Sequence, residues 1–526
     1  MSEATPAESA AAILRAIPNR IHETYRDWLD GSADRVALID DRGSLTFDEL
    51  NQAVAAVADQ LRLFGIRPGD RLIIASENCI ALAVLLLAAS SLDAWAIVIN
   101  PRLSEREIHQ IREHSGARRM FLTAGVSKEA AARAEHFRAV IQNIGPLNNM
   151  GVTNLNFNTE PEPVEADRAR QVGVLIYTSG TTGTPKGVML THENLMFSAR
   201  NAVEVRRMTI DDKLYCVLPI SHIVGISLLI ATLISGSTIR LVCKYEPASL
   251  IDAMGHEGIT LLSGVPATYQ RLLEYKKKSG LAKLDRGSLR MIGVSGAPLD
   301  VELKSKVEEE LGLPLLNGYG ITECSPGISG VRFHQHRNDD SVGTLLPGVE
   351  ATLLSVNGEP TRSGQVGELH VRGKNVMRGY YRSPELTAKS IDENGWFNTG
   401  DLARFEGDAL FIVGRTKEMI IRSGFNVYPA EVEAVLSAHP DVVQCAVVGR
   451  PVPGNEEIVA FVQLFQGSTT EASDLMRFVG SELTAYKRPS QIIILDSLPA
   501  TSSGKILKHK LAESARAPSG QSKAAS

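Results

Sequence analysis

The chain has 526 residues, of which 44% are hydrophobic and 22% are charged, and its formal net charge at pH 7 is −5. These values fit an ordinary globular protein of about three to four domains, and they exclude a disordered, collagen-like or disulfide-scaffold chain. They provide no overall basic surface, so nucleic acid is not an expected partner. The five cysteines lie far apart without a Cys-x-x-Cys pair, which argues against a zinc or thioredoxin-type site and favours a reducing cytoplasm.

The first third of the sequence alternates strand and helix signals. Apolar runs predict strands at residues 36–40, 71–75, 94–99 and 120–123. One helix is expected to begin after Thr46, where Glu49 completes a capping box, and another after Ser104, where Glu107 does the same. Residues 80–92 are typical of a buried helix that is too short to cross a membrane. The alternation predicts parallel βαβ units.

Two central stretches have less regular patterns. Residues 142–169 are rich in Asn, Pro and Glu and are expected to form a loop or an edge region. Residues 216–239 contain no Asp, Glu, Lys or Arg and are the best candidate for a membrane span. However, Pro219, His222 and two glycines interrupt this apolar run, which favours a buried strand, turn and helix.

The last third of the sequence differs from the first in its predicted secondary structure. Short strands and turns are expected from Gly343 to about residue 414. Strand and helix signals mix again from residue 417 to about residue 511. Residues 512–526 are small and polar, as is typical of a frayed tail.

The most informative stretch is the loop at residues 177–187, Tyr-Thr-Ser-Gly-Thr-Thr-Gly-Thr-Pro-Lys-Gly. Its glycines allow close approach of the backbone to a ligand, and its hydroxyls and lysine can bind phosphate oxygens. A flexible linker is the ordinary interpretation of such a composition, but the buried strand expected at residues 172–176 favours a polyphosphate site. Pro185 before the lysine excludes a Walker A loop, and Glu323 stands where a dinucleotide fingerprint beginning at Gly318 requires a third glycine.

This loop resembles the signature loop of the adenylate-forming superfamily, which comprises acyl-CoA synthetases, peptide-synthetase adenylation domains and firefly-type luciferases. Further motifs follow in the order of that family, and the resemblance extends from about residue 21 to about residue 511. It implies that the loop binds the phosphates of ATP. The implied contacts are Thr178, Ser179, Gly180, Thr181, Thr182, Gly183, Thr184 and Lys186.

Two further motifs are expected to border the acid and the adenine. Residues 218–225 resemble the motif in which a histidine, here His222, borders the acyl pocket and shifts between the two half-reactions. Ser221 replaces the usual aromatic residue of this motif. The corner Gly296-Ala297-Pro298 resembles the adenine-binding turn, where a small backbone corner leaves room for a flat base.

The motif at residues 317–323, Asn-Gly-Tyr-Gly-Ile-Thr-Glu, resembles the fifth core motif of the family. The resemblance implies that Tyr319 stacks on adenine and that Thr322 donates to the α-phosphate. It implies that Glu323 holds Mg²⁺, a cation that prefers oxygen ligands. The nucleotide contacts implied for this motif are Asn317, Gly318, Tyr319 and Gly320.

Motifs in the following hundred residues resemble the ribose-binding and hinge regions of the family. Asp401 is expected to accept hydrogen bonds from the ribose hydroxyls, and Arg415 to contact ribose or phosphate. Lys417 stands where the hinge residue of the family falls. Gly424 lies where the pantetheine arm of CoA passes in relatives, and glycine permits that close approach.

Lys505 closes the motif Pro-Ala-Thr-Ser-Ser-Gly-Lys at residues 499–505 and resembles the catalytic lysine of the family. Its ammonium is expected to bridge the substrate carboxylate and the α-phosphate of ATP. Because Lys508 and Lys510 follow closely, a solvated basic tail is the alternative interpretation.

The resemblance implies an α/β fold in two unequal parts. Residues 1–415 would form a large N-terminal domain of layered α/β subdomains plus a β-rich subdomain, and residues 416–526 a small, mobile α+β domain. The implied enzyme is an acid–thiol ligase that uses ATP, Mg²⁺ and CoA. The alternative is a stand-alone adenylation enzyme that loads a carrier protein. The expected location is the cytoplasm, and a homodimer is compatible with the sequence.

The acid is expected to be a hydrophobic monocarboxylate, either a medium- or long-chain fatty acid or an aryl acid such as a benzoate or cinnamate. The predicted wall of the acyl pocket is mostly apolar and contains neither Arg nor Lys, so a second carboxylate would be buried without a partner. Small residues in the wall (Gly225, Gly320 and Gly327) suggest a deep pocket. The wall comprises residues 222–226, 265–269, 320–321 and 326–328.

Overall fold

The computed structural model describes residues 5–179, 185–355, 357–422, 425–453, 455–500 and 506–516. Within these ranges it contains fourteen α-helices, and short 3₁₀ turns occur at residues 21–23, 26–29, 322–324 and 485–487. The helices are α1 (Pro6–Arg15), α2 (Phe47–Leu63), α3 (Ile80–Ser91), α4 (Glu105–Ser115), α5 (Lys128–His136), α6 (His192–Arg206), α7 (Ile223–Ser235), α8 (Pro247–His256), α9 (Pro266–Lys278), α10 (Val301–Leu311), α11 (Pro384–Ser390), α12 (Pro429–Ser437), α13 (Ala472–Glu482) and α14 (Lys508–Arg516).

The same ranges contain twenty-six strands. They are β1 (Val36–Asp40), β2 (Gly43–Thr46), β3 (Arg71–Ala75), β4 (Trp95–Ile99), β5 (Arg119–Leu122), β6 (Val140–Ile144), β7 (Leu147–Val152), β8 (Val172–Ser179), β9 (Pro185–Thr191), β10 (Lys213–Cys216), β11 (Thr238–Leu241), β12 (Leu261–Gly264), β13 (Met291–Val294), β14 (Leu315–Gly320), β15 (Gly327–Gly330), β16 (Thr344–Leu345), β17 (Val349–Leu354), β18 (Gly367–Gly373), β19 (Gly379–Tyr380), β20 (Phe397–Glu406), β21 (Ala409–Arg415), β22 (Ile420–Arg422), β23 (Phe425–Val427), β24 (Val442–Val452), β25 (Asn455–Leu464) and β26 (Gln491–Ile494).

Two large mixed sheets form the body of the N-terminal domain. The eight-stranded sheet has the order β19-β9-β8-β4-β3-β5-β7-β6, and the nine-stranded sheet the order β16-β15-β14-β13-β12-β10-β11-β1-β2. The central strands of each are parallel, as in the pairs β3–β4, β3–β5 and β12–β13. This confirms the predicted α/β class, since parallel neighbours require helical crossovers.

The β-rich part is a third, four-stranded antiparallel sheet in the order β17-β18-β20-β21. One hydrophobic cluster joins it to both large sheets, as Leu72, Ile239 and Val371 illustrate. Helix α3 is buried on all sides between these layers, because its first three turns contain only aliphatic residues. The three sheets therefore share one large hydrophobic cluster.

The C-terminal part has its own small sheets and its own core. The hairpin β22–β23 and the sheet β24-β25-β26 pack with α12, α13 and α14. Two hydrophobic clusters in this part extend from Ile420 to Ala515. The molecule is thus a large N-terminal domain with a smaller α+β domain after it, as predicted. The exact division at residue 415 stays a prediction.

Most local predictions agree with the structure. Thr46 and Ser104 cap α2 and α4 through the expected capping boxes. Residues 216–239 form the end of β10, a turn, α7 and the start of β11. The predicted loop or edge region at 142–169 begins with the hairpin β6–β7, which lies at the edge of the eight-stranded sheet. The predicted frayed tail at 512–526 is wrong in its first part, because residues 512–516 belong to α14. Among the residues that the structure describes, we find no helix of the length and hydropathy needed to cross a membrane.

Candidate active site

The predicted phosphate loop connects β8 and β9, which pair as an antiparallel hairpin. Thr178 and Lys186 are cross-strand partners at the end of the hairpin next to this loop. Gly187 follows on β9, where a Cβ atom would be 3.1 Å from Leu175 and 3.3 Å from the ring of Tyr177, so a larger residue would require these neighbours to shift slightly. The predicted contacts Gly180, Thr181, Thr182, Gly183 and Thr184, together with the side chain of Ser179, lie outside the described residues.

The hairpin is attached to α4 near its loop end. The hydroxyl of Tyr177 and Nδ1 of His114 are 2.8 Å apart, and their rings are perpendicular. Burial and the nearby Arg382 lower the pKa of His114, while burial raises the pKa of Tyr177. A neutral imidazole therefore faces a protonated phenol, and this hydrogen bond fixes the first residue of the loop motif.

Lys186 and Glu323 are both in contact with one tyrosine. Nζ of Lys186 lies 5.7 Å from the ring centroid of Tyr380, and the Tyr380 hydroxyl donates to Oε1 of Glu323 at 2.9 Å. Burial and the Glu323 carboxylate raise the pKa of Tyr380, so its hydroxyl stays a donor. The sequence analysis assigned no site role to Tyr380, so this residue was missed.

Glu323 lies in the 3₁₀ turn between β14 and β15, where Thr322 and Glu323 are both partly exposed. The backbone of Pro326 approaches Gly320 closely in this turn. A Cβ atom at Gly320 would be 2.0 Å from the carbonyl oxygen of Pro326, so this position requires glycine. Beneath it, burial and the Glu323 charge raise the pKa of Cys324, which keeps this thiol protonated and inert.

The donor set suits Mg²⁺ bound together with a nucleotide. Across the described ranges, no group of three or more His, Cys, Asp and Glu side chains forms a protein cage for a metal. Glu323 supplies one hard carboxylate beside a lysine suited to phosphates, and Mg²⁺ commonly uses one or two carboxylates with phosphates and water. The residues therefore fit the ion as a companion of ATP.

The predicted ribose residues Asp401 and Arg415 are cross-strand partners on β20 and β21. Asp401 is 3% exposed, accepts from Nε of Arg415 at 2.9 Å and also accepts from the hydroxyl of Tyr319. Burial, with the Asp401 charge, raises the pKa of Tyr319. Burial disfavours the charge of Arg415, but Asp401 and Glu418 outweigh it and raise its pKa. The structure thus brings Tyr319, Asp401 and Arg415 together.

The other nucleotide residues lie at the ends of two neighbouring strands. After β13, Gly296 adopts a φ of +86° and is exposed, as is Pro298, with Ala297 between them. On β14, Gly318 is accessible, but the side-chain amide of Asn317 is buried and donates to the carbonyl oxygens of residues 340 and 341. The nucleotide role of the Asn317 side chain stays a prediction, and its observed contacts hold a neighbouring loop.

His222 is exposed and precedes the first turn of α7. The turn before it is held by Asn78, which is 4% exposed. Nδ2 of Asn78 donates to the carbonyl oxygens of Cys216 and Leu218, and its Oδ1 accepts from the N–H of Ile220 at 2.8 Å. Sequence reasoning missed Asn78, because its hydrogen-bond partners lie about 140 residues later in the chain.

The predicted acyl wall is only partly accessible. Val224, Val265 and Ile321 are partly buried, whereas Ile226 and Ile328 are fully buried in the core. Tyr269 is also fully buried, in a different cluster, and its hydroxyl donates to the carbonyl oxygen of residue 293. We therefore take Val224, Val265 and Ile321, which are among the partly buried side chains of the wall, as the candidate apolar lining.

The glycines of the wall do not deepen the pocket, contrary to expectation. A Cβ atom at Gly225 would be 2.3 Å from the carbonyl oxygen of Pro219, and one at Gly327 would be 2.6 Å from Leu346. Gly320 is close to the backbone of Pro326 in the same way. These glycines are explained by close packing of neighbouring segments.

The predicted hinge residue Lys417 lies exposed in a turn after β21. The N–H groups of Glu418 and Met419 share the carbonyl oxygen of Arg415, and the hydroxyl of Thr416 donates to a carboxylate of β18. The C-terminal part contacts α9, where Gln270 donates to the carbonyl oxygen of residue 443 and the ammonium of Lys277 lies over the ring of Phe465. Lys505 and Gly424 lie outside the described residues, and the roles of all these site residues stay predictions.

Comparisons with known proteins identify the family. The model of the AMP-binding enzyme family matches residues 25–381, and the model of its C-terminal domain matches residues 431–505. A feruloyl-CoA synthase of Amycolatopsis sp is 35% identical, covering 88% of this chain and 93% of that protein. A 4-coumarate–CoA ligase of Oryza sativa subsp. japonica is 33% identical, covering 89% of this chain and 87% of that protein.

A similar solved structure is that of MatB from Rhodopseudomonas palustris. Its ATP-bound form gives a TM-score of 0.83 at 28% identity, over 95% of this chain and 99% of that one. The apo form gives a TM-score of 0.73 at the same identity and coverage, so this chain is closer in shape to the ATP-bound form. Fold and comparisons agree that the chain belongs to the AMP-binding enzyme family, as an AMP-forming acid–CoA ligase that uses ATP, Mg²⁺ and CoA.

Proposed function

We propose that the acid activated by this enzyme is an aryl monocarboxylate of the cinnamate type. The observation that carries this proposal is the apolar candidate lining formed by Val224, Val265 and Ile321. A second carboxylate would have no Lys or Arg of the wall to pair with, and an unpaired buried charge is costly. Relatives named for ferulate and 4-coumarate favour an aryl acid over a fatty acid.

In the first half-reaction, a carboxylate oxygen of the acid attacks the α-phosphorus of ATP. The bond from that phosphorus to the bridging oxygen breaks, and pyrophosphate leaves. We assign Lys505 and Thr322 to the charge that develops at the α-phosphate, and Lys186 to the leaving phosphates. When bound by Glu323, Mg²⁺ neutralises phosphate charge. Positioning and electrostatics suffice for such a step, so no protein nucleophile is needed.

In the second half-reaction, the thiol sulfur of CoA attacks the acyl carbon of the adenylate. The bond from that carbon to the phosphate oxygen breaks, AMP leaves, and the thiol loses its proton. We propose that the domain after Lys417 rotates between the two half-reactions, because Lys505 and the pantetheine arm near Gly424 need the same face of the site. We assign to His222 a place beside the acyl group, with a shift of its side chain between the two half-reactions.

A substrate panel tests the proposed acid. Ferulate, 4-coumarate, cinnamate, benzoate, octanoate and palmitate are each supplied with ATP, Mg²⁺ and CoA, and pyrophosphate release is measured with mass detection of the thioester. We expect the highest kcat/KM for the cinnamate-type acids. A higher kcat/KM for octanoate or palmitate than for every aryl acid would contradict the proposal.

The same panel separates CoA from a carrier protein as the acceptor. Pyrophosphate release without any CoA thioester would favour the alternative enzyme, which loads a carrier protein. We also propose that the enzyme is cytoplasmic, on the basis of its five dispersed cysteines, which the structure describes as unbridged thiols. A homodimer stays a prediction that light scattering of the purified chain can check.

A further inference from the structure

Residues 377–381 connect the phosphate hairpin to the turn that contains Glu323. The N–H of Arg378 donates to the carbonyl oxygen of Met189 on β9, at 3.0 Å. The N–H of Met377 donates to the carbonyl oxygen of Glu323 at 2.8 Å. We call residues 377–381 the bridging segment. It fixes the distance between two parts of the site that are far apart in the sequence.

Tyr380 is the side chain of the bridging segment that reaches both parts. It is 7% exposed, and its own N–H donates to Oγ1 of Thr387 at 2.9 Å, which holds the backbone in place. Its hydroxyl donates to Oε1 of Glu323, and the ammonium of Lys186 lies over its ring. One buried ring therefore contacts both the carboxylate assigned to Mg²⁺ and the cation assigned to the phosphates.

The two contacts have different physical consequences. A hydrogen bond at one carboxylate oxygen fixes the plane of the carboxylate, and outer partners of this kind tune metal binding. A cation over an aromatic face is attracted by the ring electrons and loses conformational freedom. The Tyr380 hydroxyl should therefore affect the binding of Mg²⁺ through Glu323. The Tyr380 ring should affect the binding of the ATP phosphates through the Lys186 ammonium.

We propose that Tyr380 is a positioning residue that orients Glu323 for Mg²⁺ through its hydroxyl and holds the Lys186 ammonium through its ring. This inference rests on the proposed roles of Glu323 and Lys186 in binding MgATP. A merely structural tyrosine would support the fold without any particular effect on the Mg²⁺ requirement.

The test measures ATP binding by calorimetry as a function of Mg²⁺ concentration, without acid or CoA, so that no turnover occurs. Tyr380→Phe keeps the ring and removes the hydroxyl. We expect the half-saturating Mg²⁺ concentration to rise about tenfold, with ATP affinity at saturating Mg²⁺ within about twofold of the wild type. Tyr380→Leu removes the ring as well, and should also weaken ATP binding at saturating Mg²⁺.

Tyr381→Phe is the matched control. The hydroxyl of Tyr381 also donates to a carboxylate, that of Glu162, and Arg382 also lies over its ring. We expect no change in the half-saturating Mg²⁺ concentration for this variant. An equal rise for Tyr380→Phe and Tyr381→Phe would overturn the inference, because the effect would then not depend on Glu323.

Glu323→Gln separates this inference from the proposed function. If Glu323→Gln leaves the Mg²⁺ requirement unchanged, the assignment of Glu323 fails and the inference fails with it. If Glu323→Gln raises the requirement and Tyr380→Phe does not, the inference alone is overturned. A double variant, Tyr380→Phe with Glu323→Gln, should require no more Mg²⁺ than Glu323→Gln alone, and thermal unfolding verifies that each variant is folded.

Discussion

At the scale of single residues, the absence of a side chain at Gly225 allows the turn before His222 to pack against α7. It lies in the first turn of α7, where a Cβ atom would be 2.3 Å from the carbonyl oxygen of Pro219. Gly255, near the end of α8, is also a helical glycine, but it is exposed and a Cβ atom would meet nothing within 4 Å. Both glycines are therefore helical, but only Gly225 is closely packed against another segment.

We predict that Gly225→Ala lowers the free energy of unfolding by about 1–3 kcal/mol, because the new methyl group must displace packed backbone. Gly255→Ala should raise it by about 0.5–1 kcal/mol, because alanine loses less backbone entropy than glycine in a helix. Urea unfolding followed by circular dichroism measures both changes. An unchanged midpoint for Gly225→Ala would show that the turn before His222 adapts without cost.

The sequence identified some site residues and not others, for a physical reason. Lys186, Glu323 and Asp401 could be selected because their chemistry is carried by residue type within contiguous motifs. Asn78 and Tyr380 could not, because an amide or a phenol acquires its role only through the contacts that folding creates. Their partners belong to other segments, so no local pattern predicts them.

At the scale of secondary-structure elements, the 3₁₀ turn at residues 21–23 attaches the N-terminal segment to α3 and α6. The N–H of Ile21 donates to Nδ1 of the buried His192, and Nδ1 of His22 is 3.1 Å from Oγ of Ser90. Burial lowers the pKa of His22 to about 4 and also lowers that of His192. Both imidazoles are therefore neutral at pH 7.

We predict that this attachment weakens in mild acid. An unfolded histidine has a pKa near 6.5, so stability is full above that pH and falls as the pH drops toward the folded pKa of His22, about 4. His22 alone should account for a loss of about 2 kcal/mol by pH 5. Urea unfolding at pH 7.5 and pH 5.0 measures this loss of free energy.

The control for this prediction is a histidine on the surface. His22→Asn should reduce the difference in unfolding free energy between the two pH values. His256→Asn should not, because the His256 ring is exposed beside Asp252 on α8. The same pH dependence in the wild type and in His22→Asn would contradict the prediction.

Strands and helices with a clear local sequence pattern could be predicted. Strands that form only because they pair with a neighbouring strand could not. β1 and β3 occupy the predicted residues, since an apolar run bounded by turn residues suffices to indicate a strand. The hairpin β6–β7 has no clear alternation, and β19 has only two residues. Both are strands because a neighbouring strand offers hydrogen bonds. Tertiary pairing overrides weak local preference in such cases.

At the scale of the whole molecule, the two domains have separate cores. One cluster extends from Ile13 to Leu410 and joins three sheets, and the C-terminal clusters begin at Ile420. The turn with Lys417 lies between them. Separate cores allow the smaller domain to move without unpacking, which is the condition for rotation about a hinge.

We predict that two variants divide the reaction into its halves. Lys505→Ala should abolish acid-dependent pyrophosphate exchange and leave thioester formation from supplied acyl-adenylate and CoA largely intact. Lys417→Pro should do the opposite, because the hydrogen bonds of its turn use the N–H groups of Thr416, Glu418 and Met419, while proline fixes φ at the hinge. Each half-reaction is measured separately for both variants.

Lys417→Ala is the control for the hinge variant, since alanine keeps the backbone free and removes only the charged side chain. It should retain both half-reactions. Equal loss of both steps in Lys505→Ala would contradict the division of labour. Normal thioester formation by Lys417→Pro would remove the hinge from the mechanism.

The pairing of β19 with β9 has a consequence for folding during synthesis on the ribosome. Met189 on β9 pairs with Gly379, about 190 residues later. At the usual speed of translation, roughly ten to forty seconds separate the two segments. During that interval the outer edge of β9 has no neighbour, and the contact between Lys186 and Tyr380 does not exist. A nascent chain therefore gains its complete phosphate site only after most of the large domain has left the ribosome.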